Sequence, residues 1–177
     1  MKKINTTRLI YAAICIAIGI LLPQINRLIP VANIGAILSP MHIPVLLSGF
    51  LCGVPYAAFV GFILPLLNFV LTGMPPIYPI GLSMMFELAT YGMLSAFLYK
   101  VTKNNLWISL IGAMIGGRIV MGIANTILFG LAGKPYGFSA FLSAAFVTAL
   151  PGIIIHLIVI PAILYALKKA KLTEVIV

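Results

Sequence analysis

The chain has 177 residues, of which 63% are hydrophobic and only 7% are charged, and its mean hydropathy is +1.22. Soluble domains carry about 25% charged residues, so this composition excludes a water-soluble globule and predicts an integral membrane protein. The apolar runs are continuous rather than alternating, which argues against a barrel. A span takes about 20 apolar residues, so we expect one all-α domain over 1–177, a compact bundle of about six transmembrane helices.

The net charge of +9 comes largely from basic residues that cluster at three polar breaks around the apolar runs. These residues are Lys2, Lys3, Arg8, Lys100, Lys103, Lys168, Lys169 and Lys171. Basic clusters mark the cytoplasmic side of a membrane protein, so we expect both termini and the central break on that side. Such clusters are attracted to anionic headgroups, which favours contact with the lipid bilayer and not with nucleic acid.

The first predicted span covers 8–22 and ends near Pro23, and a semi-polar outer loop follows it. The next apolar run, 42–71, would form a helix of about 45 Å, which exceeds a hydrocarbon core of about 30 Å. Gly53 and Pro55 therefore predict a break that divides this run into two helices.

The second half of the chain adds three further spans. They are predicted at 79–99, 106–131 and 139–167. Pro151 is expected to begin or kink the last of them. An even number of spans then lies between the amino terminus and the central lysines. An even number is required if both lie on the cytoplasmic side of the membrane. The loops at 73–79 and 132–138 consequently lie outside.

Glu87 is the most informative residue, because the chain has only two acidic side chains and this one lies within an apolar run. An ionisable group at membrane depth costs at least ~2.5 kcal/mol on insertion scales and usually has a partner and a function. Arg118, which is isolated in another apolar run, is the predicted partner. The two residues form either a structural ion pair or part of a binding site for a small polar ligand.

Several polar side chains in or beside the spans are further candidates for substrate binding. They are His42, Asn68, Tyr78, Tyr91 and Asn125. Tyr91 follows Glu87 by four residues and so shares its helical face. His42 either caps its helix or touches substrate, whereas His156 is expected to be a hydrogen-bonded structural residue.

The sequence contains few residues or motifs that would indicate an enzyme. The chain contains no aspartate, and Gly133-Lys134 is followed by Pro135, so the phosphate-binding pattern G-x-x-x-x-G-K-[ST] fails. Two separated histidines, and two cysteines without C-x-x-C spacing, form no recognisable metal site. We therefore expect no enzymatic activity, no cofactor and no bound metal.

Four segments carry a family resemblance. They are Ala13-x-x-x-Ala17, Pro40-Met-His-Ile-Pro-Val-Leu-Leu-Ser-Gly-Phe-Leu-Cys-Gly-Val-Pro, Gly73-Met-Pro-Pro-Ile-Tyr-Pro and Met85-Phe-Glu-Leu-Ala-Thr-Tyr-Gly. With the six-span size, they make the chain similar over nearly its whole length to the S components of energy-coupling factor (ECF) vitamin transporters. These are the substrate-binding subunits of ABC-type importers.

The resemblance implies a high-affinity capture subunit in a prokaryotic cell membrane that takes up a vitamin or vitamin precursor from outside. A separate membrane T component and two cytoplasmic ATPases would supply the energy. The resemblance further implies that Ala13 and Ala17 face the T component. It places the substrate pocket toward the outer side, closed by the first outer loop and by 73–79.

Two other classes of function stay open. A self-sufficient secondary carrier would couple uptake to protons through Glu87. A structural membrane subunit would lose stability, but no ligand affinity, on changing Glu87 or Arg118. The vitamin is also open, because Arg118 suits a carboxylate or phosphate while Glu87 accepts from N–H or O–H groups. Pantothenate, a pyridoxine-like compound, a pyrimidine or thiazole precursor and a corrinoid fragment all fit.

Overall fold

The computed structural model describes residues 6–25 and 34–170, and the regular elements in these ranges are all helical. Six helical segments are long and apolar enough to cross a membrane: Thr6–Ile25, Ile34–Cys52, Val54–Thr72, Ile77–Val101, Leu106–Leu131 and Leu150–Lys169. The predicted all-α bundle of six spans is thereby confirmed. The basic residues Lys2, Lys3 and Lys171 and positions 26–33 of the first outer loop lie outside the described residues, and the cytoplasmic placement of both termini stays a prediction.

Eight α-helices and two π-helical turns make up the described part of the chain. The α-helices are α1 (Thr6–Ile25), α2 (Ile34–Leu38), α3 (His42–Cys52), α4 (Val54–Thr72), α5 (Leu82–Val101), α6 (Leu106–Leu131), α7 (Phe138–Leu142) and α8 (Leu150–Lys169). The first π-helical turn, Ile77–Gly81, is kinked at Tyr78 (φ −122°, ψ 133°) and leads into α5, and the second, Ser143–Thr148, leads toward α8. Helix α5 is central, because α3, α4 and α6 all pack against it.

The predicted break in the long apolar run lies between α3 and α4. Gly53 adopts φ 82° and ψ 170°, and Pro55 lies in the first turn of α4. A positive φ suits glycine, and a proline in the first turn gives up an N–H that has no helical partner there. The two residues together therefore separate the helices as the sequence predicted.

Helix α1 continues through Pro23 to Ile25, two residues past the predicted boundary. A proline inside a helix leaves the carbonyl four residues earlier without its N–H donor. Here that carbonyl belongs to Gly19, and it accepts a hydrogen bond from Asn68 Nδ2 of α4 at 3.2 Å. Neighbouring helices make proline tolerable in membrane spans by satisfying such groups.

The last predicted span, 139–167, is divided in the structure. Helix α7 and a π-helical turn end near Thr148, and α8 begins at Leu150 with Pro151 in its first turn. Pro151 cannot continue a preceding helix without a clash, but its fixed φ suits the start of a new one. The expected role of Pro151 is therefore confirmed, while the span itself is shorter than predicted.

Small residues let α4 and α5 meet backbone to backbone. A β-carbon added to Gly61 would overlap the backbone of Leu88, and one added to Gly92 would lie 2.7 Å from the carbonyl carbon of Ala57. Close approach through small residues is the usual way for helices to associate in lipid. This contact fixes α5 against α4 and so sets the position of the polar residues on α5.

We predict that Gly61→Ala and Gly92→Ala each lower the thermal unfolding midpoint in detergent, because the added methyl group meets backbone that cannot move aside. Overpacking of this kind costs ~1–3 kcal/mol. Gly130→Ala in α6 is the matched control, since a β-carbon there has nothing within 4 Å. An unchanged midpoint for both Gly61→Ala and Gly92→Ala would contradict the close helix contact.

Candidate functional site

Glu87 of α5 is contacted from three helices through one carboxylate oxygen. Arg118 Nη1 of α6 lies 3.1 Å from Glu87 Oε1, and the hydroxyl of Tyr91 donates to the same oxygen at 3.1 Å. His42 Nε2, at the start of α3, lies 3.5 Å away. Glu87 is only 2% exposed and Arg118 only 7%. The structure therefore joins the two isolated charges of the sequence in one buried ion pair.

Helical spacing brings the polar residues of α5 and α6 to the same place. Ser83, Glu87 and Tyr91 recur every four residues on α5 and share one face. On α6, Arg118 and Asn125 are seven residues apart and also share a face. Because these helices pack against each other, the two polar faces meet inside an otherwise apolar bundle.

Helix α8 holds the segment that carries His42. The rings of His42 and His156 stack with centroids 5.7 Å apart and planes inclined by 14°. His156 Nε2 lies 3.2 Å from the carbonyl oxygen of Ser39 in the turn before α3. One helical turn earlier, a β-carbon on Gly152 would lie 2.7 Å from the Ile37 carbonyl oxygen, so α8 approaches α2 closely. His156 thus has the hydrogen-bonded structural role expected from the sequence.

A cavity of about 660 Å³ lies against the ion pair. Its polar lining residues include His42, Asn68, Ser83, Glu87, Arg118 and Asn125. Apolar side chains make up much of the remaining wall, including Met41, Met84, Met121, Ile80, Pro76 and Phe129. Sites for small molecules are typically cavities of ~300–1,000 Å³ with mainly apolar walls and a few polar groups. This cavity has that size and composition.

Five of the seven predicted substrate-binding residues line the cavity: Glu87, Arg118, His42, Asn68 and Asn125. Tyr91 does not line it, but it is buried beside Glu87 and donates to that carboxylate. Tyr78 is also outside the lining. It is 48% exposed, and its hydroxyl donates to the Leu128 carbonyl oxygen at 2.8 Å, joining the 73–79 loop to the end of α6.

Both segments expected to close the pocket contribute to its wall. Gln24 at the end of α1 and Ser39 before α3 flank the first outer loop, while Met74 and Pro75 come from the second segment. The cavity therefore lies at the end of the bundle where these two connections occur.

Sequence reasoning missed Ser83 and Tyr136, which also line the cavity. Ser83 precedes Glu87 by one helical turn, so the i, i+4 spacing was a signal that could have identified it. Tyr136 lies in the connection after α6, where no periodic pattern indicates which way a side chain points. Within the described ranges, no group of three or more His, Cys, Asp or Glu side chains lies together as a metal site would require.

Comparison with known proteins identifies one family. The model described as "ECF transporter, substrate-specific component" matches residues 7–164, which is most of the chain. No curated protein and no solved structure matches the chain.

We predict that Glu87→Gln and Arg118→Met are each strongly destabilising in the ligand-free protein, while the double variant loses less than the sum. Breaking a buried ion pair from one side leaves a charge unpaired and costs ~3–5 kcal/mol, whereas removing both charges avoids that penalty. Unfolding of the four proteins in detergent measures the coupling. We expect it to exceed ~1 kcal/mol, within the range of contacting residues. Additive losses would show that the two charges do not stabilise each other.

Proposed function

Since the chain belongs to the family of substrate-specific components of ECF transporters, we propose that it captures a vitamin or vitamin precursor for an ECF-type importer in a prokaryotic cell membrane. The observation that carries this proposal is the cavity of about 660 Å³ next to the buried pair Glu87 and Arg118. A purely structural ion pair would need no cavity beside it. Ionisable groups that face a cavity at membrane depth are instead typical of a substrate site.

The cavity suits high-affinity capture. A ligand that covers the apolar wall removes apolar surface from water, which contributes roughly 25 cal/mol per Å² to the free energy of binding. Its polar residues, among them Glu87, Arg118 and Asn68, supply the directional contacts that select one ligand. They sit on helices that pack against one another, so little ordering is required when the ligand binds.

The segments at the mouth of the cavity support entry from the outer side. Met74 and Pro75 of the 73–79 connection and Ser39 and Pro40 of the first outer loop all line the cavity. We propose that these two segments form the lid. Tyr78 then acts by holding the second segment to α6 through Leu128, rather than by touching the ligand itself.

The sequence lacks the phosphate-binding pattern of an ATPase, so in this proposal the ATP-derived energy for transport comes from partner subunits. We propose that a membrane T component and two cytoplasmic ATPases supply it, with α1 as the docking helix. Ala13 and Ala17 are both exposed on α1, whereas Ala12, Cys15 and Gly19 are buried on the opposite side of the helix. Two exposed alanines one turn apart leave a shallow surface to which another membrane helix can pack closely.

A thermal-stability screen of the purified protein against vitamins and their precursors tests capture directly. A ligand at a hundredfold excess over its dissociation constant should stabilise the folded state by ~2.7 kcal/mol. We expect one clear hit, and we expect Glu87→Gln to weaken its binding at least tenfold. Thr90→Val is the matched control on the same helix, because that hydroxyl is bonded to the Phe86 carbonyl oxygen and does not line the cavity. Stabilisation that survives Glu87→Gln unchanged would count against this cavity as the site.

The docking helix is tested by replacing its exposed alanines. We expect the double variant Ala13→Leu/Ala17→Leu to bind ligand as before but to lose co-purification with the T component and ATPases, and with it uptake into cells, because the larger side chains prevent close helix packing. Ala162→Leu, at an exposed alanine on α8, is the control. Normal assembly of the double variant would contradict docking through α1.

A further inference from the structure

We infer that the ligand of this cavity is a flat heteroaromatic compound without net charge, whose amino or ring N–H group binds Glu87. This inference rests on the proposed capture function and narrows its substrate class. It differs from the simplest expectation for an arginine in a binding site, which is an anionic ligand held by the guanidinium group.

Charge balance is the first reason. Among the described residues that line the cavity, the fully charged side chains are Glu87 and Arg118, and they lie 3.1 Å apart. Their charges sum to zero, so an anionic ligand would bring an uncompensated charge into an apolar bundle. Burying a charge without its own partner costs several kcal/mol. A ligand without net charge avoids that cost.

Unused acceptors are the second reason. The closest contacts that Glu87 makes with Arg118, Tyr91 and His42 all go to Oε1, so Oε2 can accept from a further donor. Asn68 donates both of its amide hydrogens, to the carbonyl oxygens of Gly19 and Leu64, which fixes its orientation. Its Oδ1 then has no partner in the described part of the chain. Two acceptors at the cavity call for N–H or O–H donors on the ligand.

Unused donors are also present, so the ligand must carry an acceptor as well. Ser83 Oγ and Arg118 Nε are buried and make no hydrogen bond to any described residue. Arg118 directs Nη1 to Glu87 and, at 3.6 Å, to the sulfur of Met121. Buried polar groups without partners are unfavourable, and a ring nitrogen or carbonyl on the ligand would provide the acceptor that they lack. Donor and acceptor side by side are typical of amino-substituted heterocycles.

Methionine side chains indicate the shape of the ligand. Met41, Met74, Met84 and Met121 all line the cavity, and Phe129 adds an aromatic ring. Thioether sulfur makes favourable contacts with aromatic rings, and the flexible side chain adapts to a flat surface. A wall of this kind favours a planar ring over a branched aliphatic chain.

Binding of matched pairs of compounds tests the inference. The two members of each pair have similar shapes, but the first is uncharged and the second is an anion. The pairs are nicotinamide and nicotinate, pyridoxine and 4-pyridoxate, pantothenol and pantothenate, and 4-amino-5-hydroxymethyl-2-methylpyrimidine with its 5-carboxylate. Dissociation constants are measured by calorimetry at pH 8 on the purified wild-type protein. We expect at least one of the ring pairs to bind, with the uncharged member at least tenfold tighter.

Changing Glu87 should reverse this preference. Glu87→Gln leaves Arg118 as an unbalanced cation, so the ratio of anionic to uncharged binding should rise at least tenfold. Thr90→Val should leave the ratio unchanged. Should Glu87→Gln fail to fold, Ser83→Ala provides a second test, and we expect it to weaken the uncharged heterocycle without changing the preference for charge.

The outcomes separate this inference from the function on which it rests. Tighter binding of the anionic member by the wild-type protein would overturn the inference but support capture. Tightest binding of the aliphatic pair would overturn the heteroaromatic assignment in the same way. If none of the vitamins and precursors binds, the proposed capture function is overturned, and the inference with it.

Discussion

The buried carboxylate of Glu87 is the constraint on which the arrangement of the bundle depends. A charge at membrane depth must be matched by nearby polar groups, and these come from α3, α5 and α6 through His42, Tyr91 and Arg118. Helix α8 enters the same arrangement indirectly, since His156 stacks on His42. Satisfying one carboxylate therefore fixes the relative positions of four helices, and the cavity lies where their polar faces meet.

Small residues and polar residues both hold α5 in place. Gly61 and Gly92 allow α4 and α5 to touch along their backbones, which contributes packing and no chemistry. The ion pair with Arg118 ties the other side of α5 to α6. Lipid provides no hydrophobic driving force between helices, so close packing and polar contacts have to supply it. Residues that bind a ligand can therefore also support the fold.

Much of this organisation could be predicted from the sequence, because it depends on local patterns. Apolar run length gave six spans, Gly53 and Pro55 marked a helix break, and the isolation of Glu87 and Arg118 in apolar runs indicated a pair. The features that the sequence did not predict arise where a distant residue decides the local structure. Helix α1 passes Pro23 because Asn68, 49 positions from Gly19, satisfies the carbonyl that the proline frees. Likewise, the bond from Tyr78 to Leu128, 50 residues away, has no signature in the local sequence.

Asn68 joins two regions of the protein that the sequence keeps apart. Its Nδ2 donates a hydrogen bond to the Gly19 carbonyl oxygen of α1, two residues beyond the exposed Ala17. The same side chain forms part of the cavity wall. The amide group is planar and rigid, so a change in what its oxygen meets shifts the nitrogen as well. A single side chain thus connects the buried side of α1, at Gly19, with the interior of the cavity, with no loop or hinge between them.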